Sequence, residues 1–265
     1  MEDILVLDGS AYVNPAAEKV TDGRSALTHI ANIFYNGKIQ QFYLKLFATH
    51  KQLCNEITAY LAAKTIKEPV AEHACVIKVP SSIIELLSNG NAGDVVPYAW
   101  ATSVVSGPTP NTYVYNSYEW NLALAHLRAI PSITNALAFD SLIANEDRNA
   151  GNIMLSSNLK SYVLIDHDQA PFEPNWNADD LVHDKHTVCK LSDMLWSNKL
   201  PREIRSGIVH ASSEHSYVIN EFIKQALPWW EALLARHEVE HLKDFYTKRA
   251  QFHEQNLMKK MNLLC

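Results

Sequence analysis

The sequence predicts an α+β chain with a small β-rich first part and a helical second part. Three observations carry this. Short strand-like runs broken by turn residues fill the stretch from Ile4 to Phe47. A breaker-rich run, Ser106-Gly107-Pro108-Thr109-Pro110, follows the last long extended segment. Beyond it, apolar residues recur at helical spacing almost to the end. The implied division is 1–105 and 106–265.

Turn signals organise the first part: Asp8-Gly9-Ser10, Thr21-Asp22-Gly23 and Asn36-Gly37 separate strand-like runs and predict a meander of hairpins. The clearest pair is 26–35 with 38–47, because Asn-Gly suits the two left-handed positions of a type I′ turn. In its second strand Phe42, Leu44 and Leu46 face one way, and Tyr43, Lys45 and Phe47 the other. From His50 to Thr65, the spacing of Leu53, Ile57, Tyr60 and Leu61 predicts an amphipathic helix. Strands are expected over 73–80 and 95–105, with a short helix at 81–87 and an Asn89-Gly90-Asn91-Ala92-Gly93 loop between them.

In the second part, 118–129 and 131–145 read as helices, the latter with Pro131 at its start, where no N–H is needed. Only 152–155 and 162–165 look extended. From Leu181 onward the chain reads as successive helices, the last running from about Pro228 to Lys260.

Hydrophobic residues make up 47% of the 265 and charged residues 20%, enough apolar content for one large or two small cores and too much for a disordered chain. A net charge of −6 argues against a broad surface for nucleic-acid phosphates. Glu2 and Asp3 stand where a secretory leader needs basic residues. No apolar run reaches the roughly 18 to 20 residues that cross a bilayer. The expectation is a soluble, cytoplasmic protein without a membrane span. Cys54, Cys75, Cys189 and Cys265 form no C-x-x-C pair, which suggests neither a zinc ribbon nor a disulfide framework.

The most informative stretch is Phe139 to Phe172, FDSLIANEDRNAGNIMLSSNLKSYVLIDHDQAPF. A helix ends near Asn145, a polar loop holds Asp147 and Asn152, and two short strands deliver Asp166 just past Ile165. Transfer of a phosphoryl group to a hydroxyl needs a carboxylate at the acceptor and oxygen ligands for Mg2+. In that chemistry Asp147 would orient or deprotonate the acceptor, while Asn152 and Asp166 would hold the metal. Asp168, two residues on, is a second candidate ligand.

The pattern FDxLIxNxDxxxxN, followed by a strand and Ile165-Asp166, resembles the catalytic segment of HipA-like kinases and is similar to that of the phosphatidylinositol kinases. Upstream, YLKLF followed by CNEITAYLAAKTIKEPV resembles the family's lysine strand, helix start and linker. The resemblance implies a two-lobed protein-kinase-like fold with ATP between a small β-rich N-lobe and a helical C-lobe. It implies that Lys45 contacts the ATP phosphates with Glu56 as its ion-pair partner, and that Thr102, Ser103 and Val104 form the adenine hinge. It further implies ATP and Mg2+ as cofactors and a protein serine or threonine as acceptor. The chain departs from the family at Asn149, where His or Gly is common, and no glycine-rich loop precedes Lys45. Asp22-Gly23-Arg24-Ser25 is the candidate phosphate-covering turn.

Other readings use the same residues or different ones. A lipid or small-molecule kinase would keep this site with another acceptor groove, and an ATP-binding regulator would bind nucleotide without transfer. His237-Glu238-Val239-Glu240-His241 matches H-E-x-x-H, the spacing that sets two imidazoles one helical turn apart on zinc, and so raises a zinc hydrolase.

Overall fold

The computed structural model describes residues 4–19, 27–87, 95–156, 158–197 and 199–263. The candidate phosphate-covering turn at 22–25, the 89–93 loop and Cys265 lie outside these residues. Two compact units emerge, Met1–Leu53 with Ala71–Val105, and Cys54–Val70 with Ser106–Cys265.

The first unit is built on a six-stranded sheet. In chain order its strands are β1 (Ile4–Leu7), β2 (Tyr12–Lys19), β3 (Leu27–Tyr35), β4 (Lys38–Leu46), β5 (Ala74–Lys78) and β6 (Tyr98–Ser103). The spatial order is β1-β5-β6-β4-β3-β2. The β3–β4 hairpin turns at Asn36 and Gly37, with φ of 49° and 81°, the two left-handed positions that a type I′ turn requires. Phe42, Leu44 and Leu46 are buried on one face of β4. They pack with Ile33, Cys75, Ile77 and Ala101 into one cluster. The expected meander holds only for β2 to β4. β1 pairs in parallel with β5, Ile4 opposite Ala74, a contact 70 residues apart that no local turn signal announces. The short helix α2 (Ser81–Leu87) follows β5.

The helix α1 (His50–Ile66) contributes its first turn to the first unit and the rest to the second. The amphipathic expectation fails here. From Gln52 to Ala63 every residue is buried, the polar Asn55, Glu56 and Thr58 included. A helix buried on every side needs partners for each polar group. Asn55 Nδ2 donates to the carbonyls of Asp168 and Pro174, Trp176 Nε1 donates to Asn55 Oδ1, and Trp230 Nε1 donates to Thr58 Oγ1.

The second unit adds α3 (Ser117–Ala129), α4 (Ile133–Ile143), a two-stranded ribbon of β7 (Ile153–Leu155) and β8 (Tyr162–Leu164), and α5 (Lys190–Trp196), α6 (Arg202–Ser213), α7 (His215–Leu233) and α8 (Arg236–Lys260). Pro131 stands in the turn before α4 rather than at its first position, and 181–189 contains no α-helix. The expected last helix is two, because the chain leaves helical geometry at Leu234 and Ala235. Trp230 stacks on Tyr246 across the α7–α8 contact, with Phe222 edge-on to both rings. Gly107 has φ of 144°, and a Cβ there would fall 1.9 Å from Leu155 O, so only glycine lets this segment pass against β7. Among the described residues no single helix is long and apolar enough to cross a membrane.

Candidate active site

The loop after α4 is held by side chains bonding to nearby backbone, the habit that makes Asn and Asp good turn formers. Ala144 ends the helix in the left-handed conformation, with its N–H on Asp140 O. Asn145 Oδ1 then accepts the Asp147 N–H at 2.9 Å. Asn149 Nδ2 donates to Asp147 O, and Asn149 Oδ1 accepts from Gly151 N. Asn152 Nδ2 donates to Asp147 O at 3.0 Å and lies 3.4 Å from its Oδ2. Asp147 and Asn152 are thus in direct contact. With its amide nitrogen engaged there, Asn152 presents Oδ1 as its acceptor end.

Arg148 organises what lies behind this loop. It is fully buried, and its Nε and Nη2 donate to the Asp140 carboxylate over 3.0 to 3.2 Å. Its Nη1 donates to Asn152 O and to Ile165 O, both at 2.6 Å. Ile165 N in turn donates to Asn152 O at 3.2 Å. One guanidinium therefore joins the backbone at Asn152 to the residue just before Asp166, extending the β7–β8 pairing by one step. Asp166 itself has φ of 59°, a conformation that Asp tolerates better than most side chains.

Beyond Asp166, His167 Nδ1 lies 3.6 Å from Glu56 Oε2, and both groups are buried. Burial first, and then the nearby Arg148 charge, hold the His167 pKa below its ordinary value, while Glu56 opposes the shift. The imidazole is neutral at physiological pH, so the contact is a polar one rather than an ion pair. Asp168, at 1% exposure, sits under Asn55 and accepts a hydrogen bond from Gln169 Nε2.

Lys190, at the start of α5, donates through Nζ to Asp147 Oδ1. The Asp147 side chain is about one-third exposed there. In the first unit, Lys45 is half-buried on β4 opposite Trp100, with its Nζ 5.4 Å from the Phe47 ring centre. Thr102 and Ser103 close β6, and Val104 N donates to Gln41 O. Ser103 exchanges backbone and side-chain bonds with His73.

The H-E-x-x-H segment begins α8 and serves the helix start. Glu238 Oε2 accepts from Ala235 N as a capping carboxylate, Arg236 pairs with Glu240, and both histidines are exposed. Among the described residues no group of three His, Cys, Asp or Glu side chains is arranged to hold a metal ion.

Three participants escaped the sequence reading. Arg148 and Asp140 lie inside the quoted motif, and an aspartate within a largely apolar helix, with an arginine in the loop that follows, was the available signal. Lys190 lies 43 residues from Asp147 and carried no signal. Asn149, a departure from the family pattern, is the side chain that ties the loop together.

A family model described as HipA-like kinase matches residues 36–232. No curated protein sequence matches the chain. Among solved structures, the crystal structure of the Helicobacter pylori proinflammatory kinase CtkA is similar with a TM-score of 0.59 and 10% identity, covering 98% of this chain and 99% of that one. At that identity the likeness establishes a shared fold.

Proposed function

Because the chain belongs to the HipA-like kinase family, we propose that it transfers the γ-phosphoryl group of ATP, with Mg2+, to a serine or threonine hydroxyl of a protein. The observation that carries this reading is the Arg148 junction, which joins Asn152 to Ile165-Asp166 while Asn152 touches Asp147. An acceptor-orienting carboxylate and two hard oxygen ligands in one constellation is what phosphoryl transfer asks of a protein.

Asn152 Oδ1 and the Asp166 carboxylate fit a magnesium ion in donor type, and Asp168 is a further oxygen donor next to them. Bound there, the cation would offset charge on the phosphoryl oxygens. Asp147 takes the acceptor's hydroxyl proton or orients it, with Asn149 and Asn152 holding its backbone and Lys190 on its Oδ1. Lys45 is assigned to the nucleotide phosphates with Glu56 as its partner, and Thr102, Ser103 and Val104 to the adenine edge. The stretches 1–105 and 106–265 then carry nucleotide recognition and catalysis respectively.

The test is label transfer from γ-labelled ATP in Mg2+, comparing the wild type with Asp147→Ala, with and without a cell lysate. Label in protein with the wild type alone supports a protein kinase. Transfer only to lipid or small acceptors, or nucleotide binding without transfer, would replace the protein-acceptor reading.

A further inference from the structure

The second unit holds a cavity of about 380 Å³ lined by residues of the segment before α5, α5 itself, the α5–α6 connection, α6 and the end of α8 with the two residues after it. Its charge is one-sided. Lys199, Arg205 and Lys260 converge on it from three different parts of the chain, with His186 at its edge and Asp193 the single carboxylate. In a chain of net charge −6, three lysine and arginine side chains around one hollow is a local reversal of sign.

These cations have donors to give. Among the described residues none of the three is in an ion pair. Arg205 gives one Nη1–H to Met261 O, and its Nε–H is buried without an acceptor. A guanidinium carries five N–H groups, so beyond the Nη1 bond to Met261 O the Arg205 head keeps terminal N–H groups for an incoming oxygen. Lys260 gives one N–H to Thr187 O at 2.8 Å. Burial first, and then Arg249, hold its pKa below the ordinary value, with Cys189, Asp193 and Glu146 opposing. An anion in the cavity would act in the opposite direction.

A smaller recess shares Lys260 and Thr187 with it and has Asn145 in its lining, and Asn145 Oδ1 accepts the Asp147 N–H. Val188 lines the larger cavity, and its N–H donates to Glu146 Oε1, next to Asp147 in the loop. A single carboxylate would satisfy one of the cations, whereas a phosphate dianion has three free oxygens for three of them.

We infer that this cavity is a binding site for a phosphate group, held by Lys199, Arg205 and Lys260 and placed to anchor a phosphorylated side chain beside the acceptor carboxylate. The part of this that concerns the acceptor rests on the kinase reading above. The binding itself does not.

The experiment is a calorimetric titration of the full chain, without nucleotide, against inorganic phosphate, a phosphoserine peptide and the same peptide unphosphorylated. Lys199→Gln is the first variant, since its exposed side chain holds nothing else in place; Arg205→Gln is the second. The expected result is saturable binding of the phosphopeptide, none of its unphosphorylated twin, and a loss of about 10-fold or more in each variant. Binding of inorganic phosphate alone, with the same losses, supports the site and makes free phosphate its ligand. No binding of either, or binding that both variants leave unchanged, overturns it. Label transfer that depends on Asp147 would survive that failure, so the two readings are separable.

Discussion

Arg148 and Asp140 form a buried ion pair at 3.0 Å, with neither side chain more than 1% exposed, and the same guanidinium bonds the backbone carbonyls of Asn152 and of Ile165, the residue before Asp166. Removing one member leaves the other charged and uncompensated in the interior. Arg148→Met is therefore expected to lower stability by about 3 to 5 kcal/mol, as is Asp140→Leu. The double variant should cost less than the sum of the two. Urea denaturation of all four proteins measures the coupling, and strict additivity would contradict the pairing.

In the proposed reaction Asp147 orients or deprotonates the acceptor. Asp147→Ala should lower transfer by ~10² to 10⁴-fold while leaving nucleotide affinity close to that of the wild type. Single-turnover rates together with equilibrium nucleotide binding separate the two effects. A variant with the full transfer rate would remove Asp147 from its assigned role.

Asp166 has positive φ, so the choice of substitution matters. Asn tolerates that conformation about as well as Asp, and Asp166→Asn should fold normally yet lose Mg2+-dependent nucleotide binding. Titrating nucleotide with and without Mg2+ checks this. Unchanged metal dependence would shift the ligand role to Asp168.

Glu68 offers a pH test away from the site. Tyr162 Oη lies 2.9 Å from Glu68 Oε2 and 2.8 Å from Ser132 O, but it has one proton to donate. A protonated Glu68 completes the second bond, and burial pushes its pKa up to about 7 from 4.5. A raised folded pKa means stability that is fully present below about pH 4.5 and lost as pH rises through about 7. Glu68→Gln, whose amide donates at every pH, should remove that loss. His29 and His215, pushed down to about 4 by burial, act in the opposite sense as pH falls below 6.5, equally in both proteins. The difference between wild-type and variant melting temperatures across pH 4.5 to 7 isolates Glu68. A flat difference would mean that Glu68 ionises freely.

How much was legible in the sequence follows from the range of the interactions. The Asn36-Gly37 hairpin, α2 and the β7–β8 ribbon rest on local turn chemistry and alternation, and the structure has them within a residue or two of where the sequence puts them. The motif from Phe139 to Asp166 was readable because its loop bonds itself, Asn145 to Asp147 and Asn149 to Gly151, over two residues at a time.

Tertiary structure decided the rest. α1 reads as amphipathic because Asn55, Glu56 and Thr58 are polar, yet Trp176, His167 and Trp230, 111 to 172 residues away, supply the partners that let those groups be buried. β1 belongs to β5 because main-chain groups 70 residues apart complete the sheet edge. Lys190 meets Asp147 only once α5 has packed. Residue type and spacing determined which side chains could carry the chemistry, because those preferences are local. Which of them meet, and which charges are buried together, was settled by contacts between segments far apart in the chain, where free energy depends on packing that no local pattern encodes.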